Sequence, residues 1–148
     1  MGIASWIVKK KISSAYAMMN QDDYNVDALM AGFAEDAIWD AASDFSVGGS
    51  IRGRKAIAEW FHQWKKEFPK RRVVVKNICM KGTCMPSPSN MVMVDWTCRE
   101  VDKQGKEFQY DGVSVITIRN RKIVHQSEYI SFKGLPQLAS LIRPAAKA

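Results

Sequence analysis

Pro69 divides this chain into two parts with different periodicities. Before it, apolar residues recur at helical spacing. Ile57, Trp60, Phe61, Trp64 and Phe68 form a stripe at spacings of three and four, which puts them on one helix face. Pro69, with no N–H and a ring that clashes with the preceding turn, stops that helix. After it the sequence reads as strands. Residues 71–80 are β-branched and apolar, 91–101 alternate, 107–119 form a long run, and 122–132 form the last. The segment 83–90, with Pro86 and Pro88, is a loop; 103–106 and Asn120-Arg121 are turns.

The N-terminal part adds two further helices. Val8, Ile12, Ala15, Tyr16 and Met19 give residues 4–20 an apolar face, and Leu29, Met30 and Phe33 give residues 27–33 a short one. A strand is expected at 37–41, then a small, polar loop at 42–53 with room for a brief strand. Helices first and antiparallel strands afterwards imply an α+β domain. The expected architecture is a curved, antiparallel (mixed) sheet wrapped around the long helix. Two N-terminal helices then close a cone with an internal cavity. The 148 residues suit a single domain, with 133–148 as a C-terminal tail holding a helical turn near 138–142.

Charge and cysteines narrow the partners. The net charge is +7, and residues 52–81 are the densest basic stretch. No RNP motif, zinc finger or Gly-Arg tract accompanies that charge, so nucleic acid is not expected and a solvated basic face is. No apolar run reaches the ~20 residues that span a bilayer, so no membrane partner is expected. Cys79, Cys84 and Cys98 lack metal-ligand spacing and suggest reduced thiols; no metal and a cytoplasmic location are expected. Trp6 stands where a myristoylation signal needs Ser or Thr, and the lysines at 9–11 interrupt any signal-peptide core.

Three stretches carry a family resemblance. Asn20-Gln21-Asp22-Asp23 followed by Leu29 and Phe33 to Trp39 resembles the opening of the nuclear transport factor 2-like superfamily, and within it the SnoaL-like polyketide cyclase and ketosteroid isomerase-like branch. Arg52 to Ile57 resembles that family's entry into its third helix. Gly112 to Ile118 with Lys122-Ile123-Val124 resembles its last hairpin. The likeness covers about residues 8–132. It implies the cone fold, a homodimer through the outer sheet face, and isomerase, cyclase, dehydratase, hydrolase or plain binding functions. The ketosteroid isomerase groups do not all carry over. That branch uses an Asp base, a protonated Asp and a helical Tyr. Here its base position falls on Ala41, with Asp40 one residue early; its acid position falls on Ser114. Tyr16 lies one residue from the Tyr position, about 100° of helical rotation away.

The candidate site follows. By the resemblance, Gln126, Glu128 and Ile130 point into the cone, and His125, Ser127 and Tyr129 point outward. A buried Glu128 would have a raised pKa suited to acid–base work; a Glu paired at the wet rim is the plain alternative. Asp40 is the second catalytic candidate if a bulge turns it inward. Ser114 and Tyr110 would orient a ligand, with Gly112 leaving room for it. Tyr16, Trp39, Trp60, Trp64 and Trp96 are the remaining ligand-binding candidates, Trp64 placed toward the mouth; the same rings also serve to fill a core. His62 and His125 read as surface residues, and His125, Ser127, Tyr129, Met93 and Asp95 as interface residues. The expected function is a cofactor-independent isomerase, cyclase or dehydratase acting on a small hydrophobic molecule. The alternative is a non-catalytic ligand-binding or dimerisation module.

Overall fold

The computed structural model describes residues 3–41, 49–81 and 90–131. Among the described residues three helices and six strands follow in the order α1 (Ile3–Met19), α2 (Val26–Met30), β1 (Phe33–Ala41), β2 (Gly49–Arg52), α3 (Arg54–Glu67), β3 (Lys70–Lys81), β4 (Asn90–Val101), β5 (Glu107–Arg119) and β6 (Lys122–Ser131). The strands make one sheet in the order β2-β1-β6-β5-β4-β3. Only β1 and β6 run parallel; every other pair is antiparallel, so the sheet is mixed. It curves around α3 without closing, and α1 lies across its open side against β3.

Local chemistry explains these elements. The stripe of α3 buries Ile57, Phe61 and Trp64, and Lys65 and Lys66 occupy its last turn, where cations favour the helix dipole. Phe68 closes the helix by donating its N–H to the Trp64 carbonyl at 2.8 Å. On β4, Val92, Val94, Trp96, Cys98 and Glu100 are buried while their odd-numbered neighbours face outward, the period-2 pattern of a half-covered strand. Asn120 and Arg121, at φ 49° and 63°, form the hairpin turn between β5 and β6. Asn20 ties the end of α1 to β3, donating to the Val73 carbonyl and accepting from the Val73 N–H.

Two expectations need correction. The second helix ends at Met30, and Phe33 belongs to β1. The Gly32 carbonyl accepts the Ile123 N–H at 2.8 Å, and this long-range bond draws the segment into the sheet. β1 is therefore nine residues long, with an irregularity between Phe33 and Ile38. Second, the space over Gly112 is not left for a ligand. Gly112 pairs with Trp96 across β4–β5, and a Cβ built on it would lie 2.4 Å from the Trp96 ring. The loop at 83–90, apart from Asn90, and the tail at 133–148 lie outside the described residues.

Gly112 therefore seats an indole. Gly112→Ala should force Trp96 to move and destabilise the fold by about 1–3 kcal/mol, the usual cost of overpacking. Denaturant titration of the two proteins checks this, and an unchanged midpoint would refute the packing argument.

Candidate functional site

Two adjoining cavities lie between the sheet and the helices. The wider one, about 780 Å³, is walled by apolar residues of α1, α2 and β5, including Ile12, Leu29 and Ile116. It runs out to exposed Ile7, Lys11, Asn120 and Arg121. The inner one, about 50 Å³, is lined by Arg71, Ser114, Glu128 and aromatic rings. Tyr16, Met19, Trp39, Phe61 and Gln126 border both.

Strand parity builds the polar end of the inner chamber. Ser114 on β5 lies opposite Glu128 on β6, both turned inward. Ser114 Oγ stands 2.8 and 3.0 Å from the two carboxylate oxygens of Glu128, and Gln126 Nε2 donates to the same group at 2.6 Å. Ser114 is itself fully buried, accepts from Trp96 Nε1 at 2.8 Å, and lies 2.6 Å from Tyr16 Oη. The indole can only donate, so Ser114 has one proton to give and one further lone pair to offer. When Glu128 is ionised, Ser114 donates to it and Tyr16 donates to Ser114. When Glu128 is protonated, both bonds can reverse. Tyr16, Ser114 and Glu128 thus form a continuous hydrogen-bonded chain.

Burial sets the protonation states. It pushes the Glu128 carboxyl from 4.5 up to about 7, against the opposing pull of Gln126, Ser114 and the positive Arg71. Burial, reinforced by the nearby Glu128, raises the Tyr16 hydroxyl above its ordinary range, so Tyr16 keeps its proton. The offset in sequence does not carry Tyr16 away, because Ile12, Tyr16 and Met19 share the buried face of α1.

A second buried polar cluster escapes the sequence reading. Glu100 is fully buried, accepts from Trp64 Nε1 at 2.7 Å and Tyr110 Oη at 2.7 Å, and pairs with Arg71 Nε at 3.2 Å. Strand alternation was the available signal: Glu100 continues the inward set of Val92, Val94, Trp96 and Cys98, and Arg71 shares the parity of buried Val73. Tyr110 lies in the chamber wall as expected, but its proton goes to Glu100. Trp64 also lines the inner chamber, while the wider chamber meets the surface near Lys11 and Arg121. Trp39, Trp60, Trp64 and Phe68 form a run of packed rings with centroids 5.7, 5.1 and 4.7 Å apart, and Trp39, Trp60, Trp64 and Trp96 all line the inner chamber.

Asp40 does not reach the chamber. It faces outward, bonded to His125 and within 3.3 Å of Ser127 Oγ, and the His125 contact lowers its carboxyl. Ala41, at the base position of the steroid isomerase branch, lines the inner chamber with only a methyl group. Among the described residues no group of three or more His, Cys, Asp or Glu side chains is arranged to hold a metal. Five cations of the basic stretch, Arg54, Lys65, Arg71, Arg72 and Lys76, each have an acidic partner.

A cone whose inner chamber carries a carboxyl and a guanidinium is therefore in place, and the SnoaL-like domain model matches residues 12–126. The chain belongs to the SnoaL-like domain family. No curated protein matches it by sequence. Among solved structures this SnoaL-like domain is similar to TerC co-crystallised with polyporic acid, with a TM-score of 0.71 and 18% identity over 88% of this chain and 96% of that one. It is similar to an NTF2-like protein from Burkholderia pseudomallei K96243, with a TM-score of 0.73 and 15% identity over 92% and 97%. It is also similar to a protein with a ketosteroid isomerase-like fold from Catenulispora acidiphila DSM 44928 in complex with trimethylamine, with a TM-score of 0.65 and 17% identity over 80% and 82%. At these identities the likeness is one of fold.

The raised Glu128 carboxyl makes stability depend on pH. The folded state holds this proton up to about pH 7 and the unfolded chain releases it near 4.5, so stability falls as pH rises between those values. Glu128→Gln should remove that slope and stabilise the SnoaL-like domain by roughly 2–4 kcal/mol at pH 8. Denaturant midpoints measured from pH 4 to 8 test this; a parallel slope in wild type and variant would show that Glu128 is not held protonated.

Proposed function

We propose that this SnoaL-like domain binds a small, largely hydrophobic molecule carrying a carbonyl group and moves protons on it without a cofactor. Isomerisation, cyclisation or dehydration are the reaction types this chemistry serves. The observation that carries the reading is a carboxyl poised at about 7 inside an apolar chamber, within a hydrogen-bonded chain. Ionised Glu128 takes a proton from the carbon beside the carbonyl. The C–H electron pair becomes the enolate, whose charge rests on oxygen. Protonated Glu128 then returns the proton to another carbon, or to a leaving hydroxyl. Tyr16 and Ser114 orient the carboxyl, and the packed rings exclude water from it.

Deuterium exchange tests this without the natural substrate. With 2-tetralone in deuterated buffer, wild type should speed exchange beside the carbonyl, and the rate should rise through about pH 7 as Glu128 ionises. Glu128→Gln should lose about a hundredfold or more. Equal rates in the two proteins would remove Glu128 from the chemistry.

The outer sheet face supports a second, compatible proposal, homodimerisation. Val74, Met91, Met93 and Tyr129 expose 39–62% of their surface on the sheet, and an apolar patch of this kind usually marks an interface. Sedimentation should show a dimer for wild type and a monomer for Met93→Glu/Tyr129→Glu; a monomeric wild type would refute it. Exposed Cys79, a free thiol among the described residues, fits a reducing compartment such as the cytoplasm.

A further inference from the structure

Arg71 is the charged group of the inner chamber that the hydrogen-bonded chain leaves unused. β3 carries it inward with Val73, its side chain is only 14% exposed, and it lines the chamber with Glu128. A guanidinium has five N–H donors and no acceptor. Among the described residues its one ion pair is with Glu100, 3.2 Å from Nε, and neither Nε nor Nη1 makes a hydrogen bond. Burial opposes its charge, and the Glu100 carboxylate beside it holds the guanidinium a cation.

A second donor stands in the same wall. Trp39 Nε1 is buried without a partner among the described residues, and Trp39 borders both chambers. The carboxylates close by already accept protein donors, Glu128 from Ser114 and Gln126, Glu100 from Trp64 and Tyr110; the Tyr24 hydroxyl, also buried without a partner among the described residues, is a single neutral acceptor and leaves the remaining guanidinium donors unmatched. Two buried donor-only groups without acceptors weaken a fold, and a ligand oxygen recovers that loss on binding. Size completes the argument. The inner chamber, about 50 Å³, holds about three to five water-sized groups, whereas the wider one, about 780 Å³, takes a bulky apolar body.

We propose that Arg71, with Trp39, receives an anionic or charge-gaining oxygen of the ligand. The ligand class is thereby an apolar body bearing a small oxygen head, a carboxylate or an enolisable carbonyl, with the head seated in the inner chamber. In proton abstraction by Glu128, the oxygen that gains the electron pair lies against Arg71, whose fixed charge stabilises it. The inference rests on reading the cavity as a ligand site and names the ligand that site selects. Besides Arg71, the titratable groups lining the head's chamber are Glu128 from β6, Tyr16 from α1 and Tyr110 from β5; Glu100 and Cys98 from β4 and Tyr24 before α2 lie around Arg71. Of these, Glu128 changes charge near neutrality.

Three probes sharing one body test the head. Titrations followed by protein NMR, with 2-naphthoate, 2-methylnaphthalene and 2-naphthylmethylamine, should rank the anion tightest by about tenfold or more over either analogue. Naphthoate affinity should fall as pH rises through about 7, because Glu128 becomes negative beside it, while 2-methylnaphthalene affinity stays level. Arg71→Met alone strands Glu100, so the paired variant Arg71→Met/Glu100→Gln carries the test and Trp39→Phe is the second. Each should weaken naphthoate by about five- to thirtyfold and leave 2-methylnaphthalene within about twofold. No naphthoate binding at millimolar concentration, equal binding of the amine, or unchanged affinity in both variants overturns the proposal. Naphthoate has no exchangeable carbon-bound proton of the required kind. Charge-selective binding together with failed tetralone exchange would therefore keep this inference and reject the catalytic reading.

Discussion

Much of this molecule depends on one hydroxyl. Ser114 is fully buried at the centre of β5 and joins α1 through Tyr16, β4 through Trp96 and β6 through Glu128. Each partner needs it. The phenol and the indole would otherwise be buried polar groups, and the carboxylate would lose a donor that offsets its desolvation. The same bonds that fix α1 over the open side of the sheet also aim Glu128. Packing and chemistry here share one set of atoms, so substitutions at Ser114 are expected to change both together.

The Arg71–Glu100 pair is an arrangement of a different kind. Two charges buried in a small domain add little net stability, because desolvation cancels much of their attraction. Breaking such a pair is costly, since the surviving charge has no water to turn to. Trp64 and Tyr110 satisfy both Glu100 oxygens, which leaves the arginine as the less completely bonded partner. The asymmetry is chemical. Each carboxylate oxygen of Glu100 and Glu128 has a protein donor from β5, β6 or α3, while donors on Arg71 and Trp39 have no acceptor among the described residues.

The fold was legible because it rests on periodicity. Spacing in residues 57–68 and alternation after Pro69 define α3 and the long strands without tertiary information. Parity also put Glu128 and Ser114 on one face. What parity cannot supply is which neighbour fills a given space. Gly112 read as room for a ligand, and a cross-strand indole occupies it. Asp40 kept the outward parity of its strand, because the irregularity in β1 comes before Ile38 and leaves residues 38–40 in regular register with β6. Glu100 and Arg71 were missed for another reason. Charged residues at inward positions look like errors in a pattern until their partners, one from each adjoining strand, are seen together.

The parallel pairing of β1 with β6 bears on biogenesis. Trp39 stands beside Gln126 in register, so the wall of the chamber joins segments 87 positions apart. While the chain emerges from the ribosome, the rings of β1 and α3 are synthesised long before the strand that covers them. The site closes only when the last strand has been made and inserts between β1 and β5. Until then the nascent chain shows apolar surface and an unpaired strand edge, the features by which chaperones engage incomplete proteins.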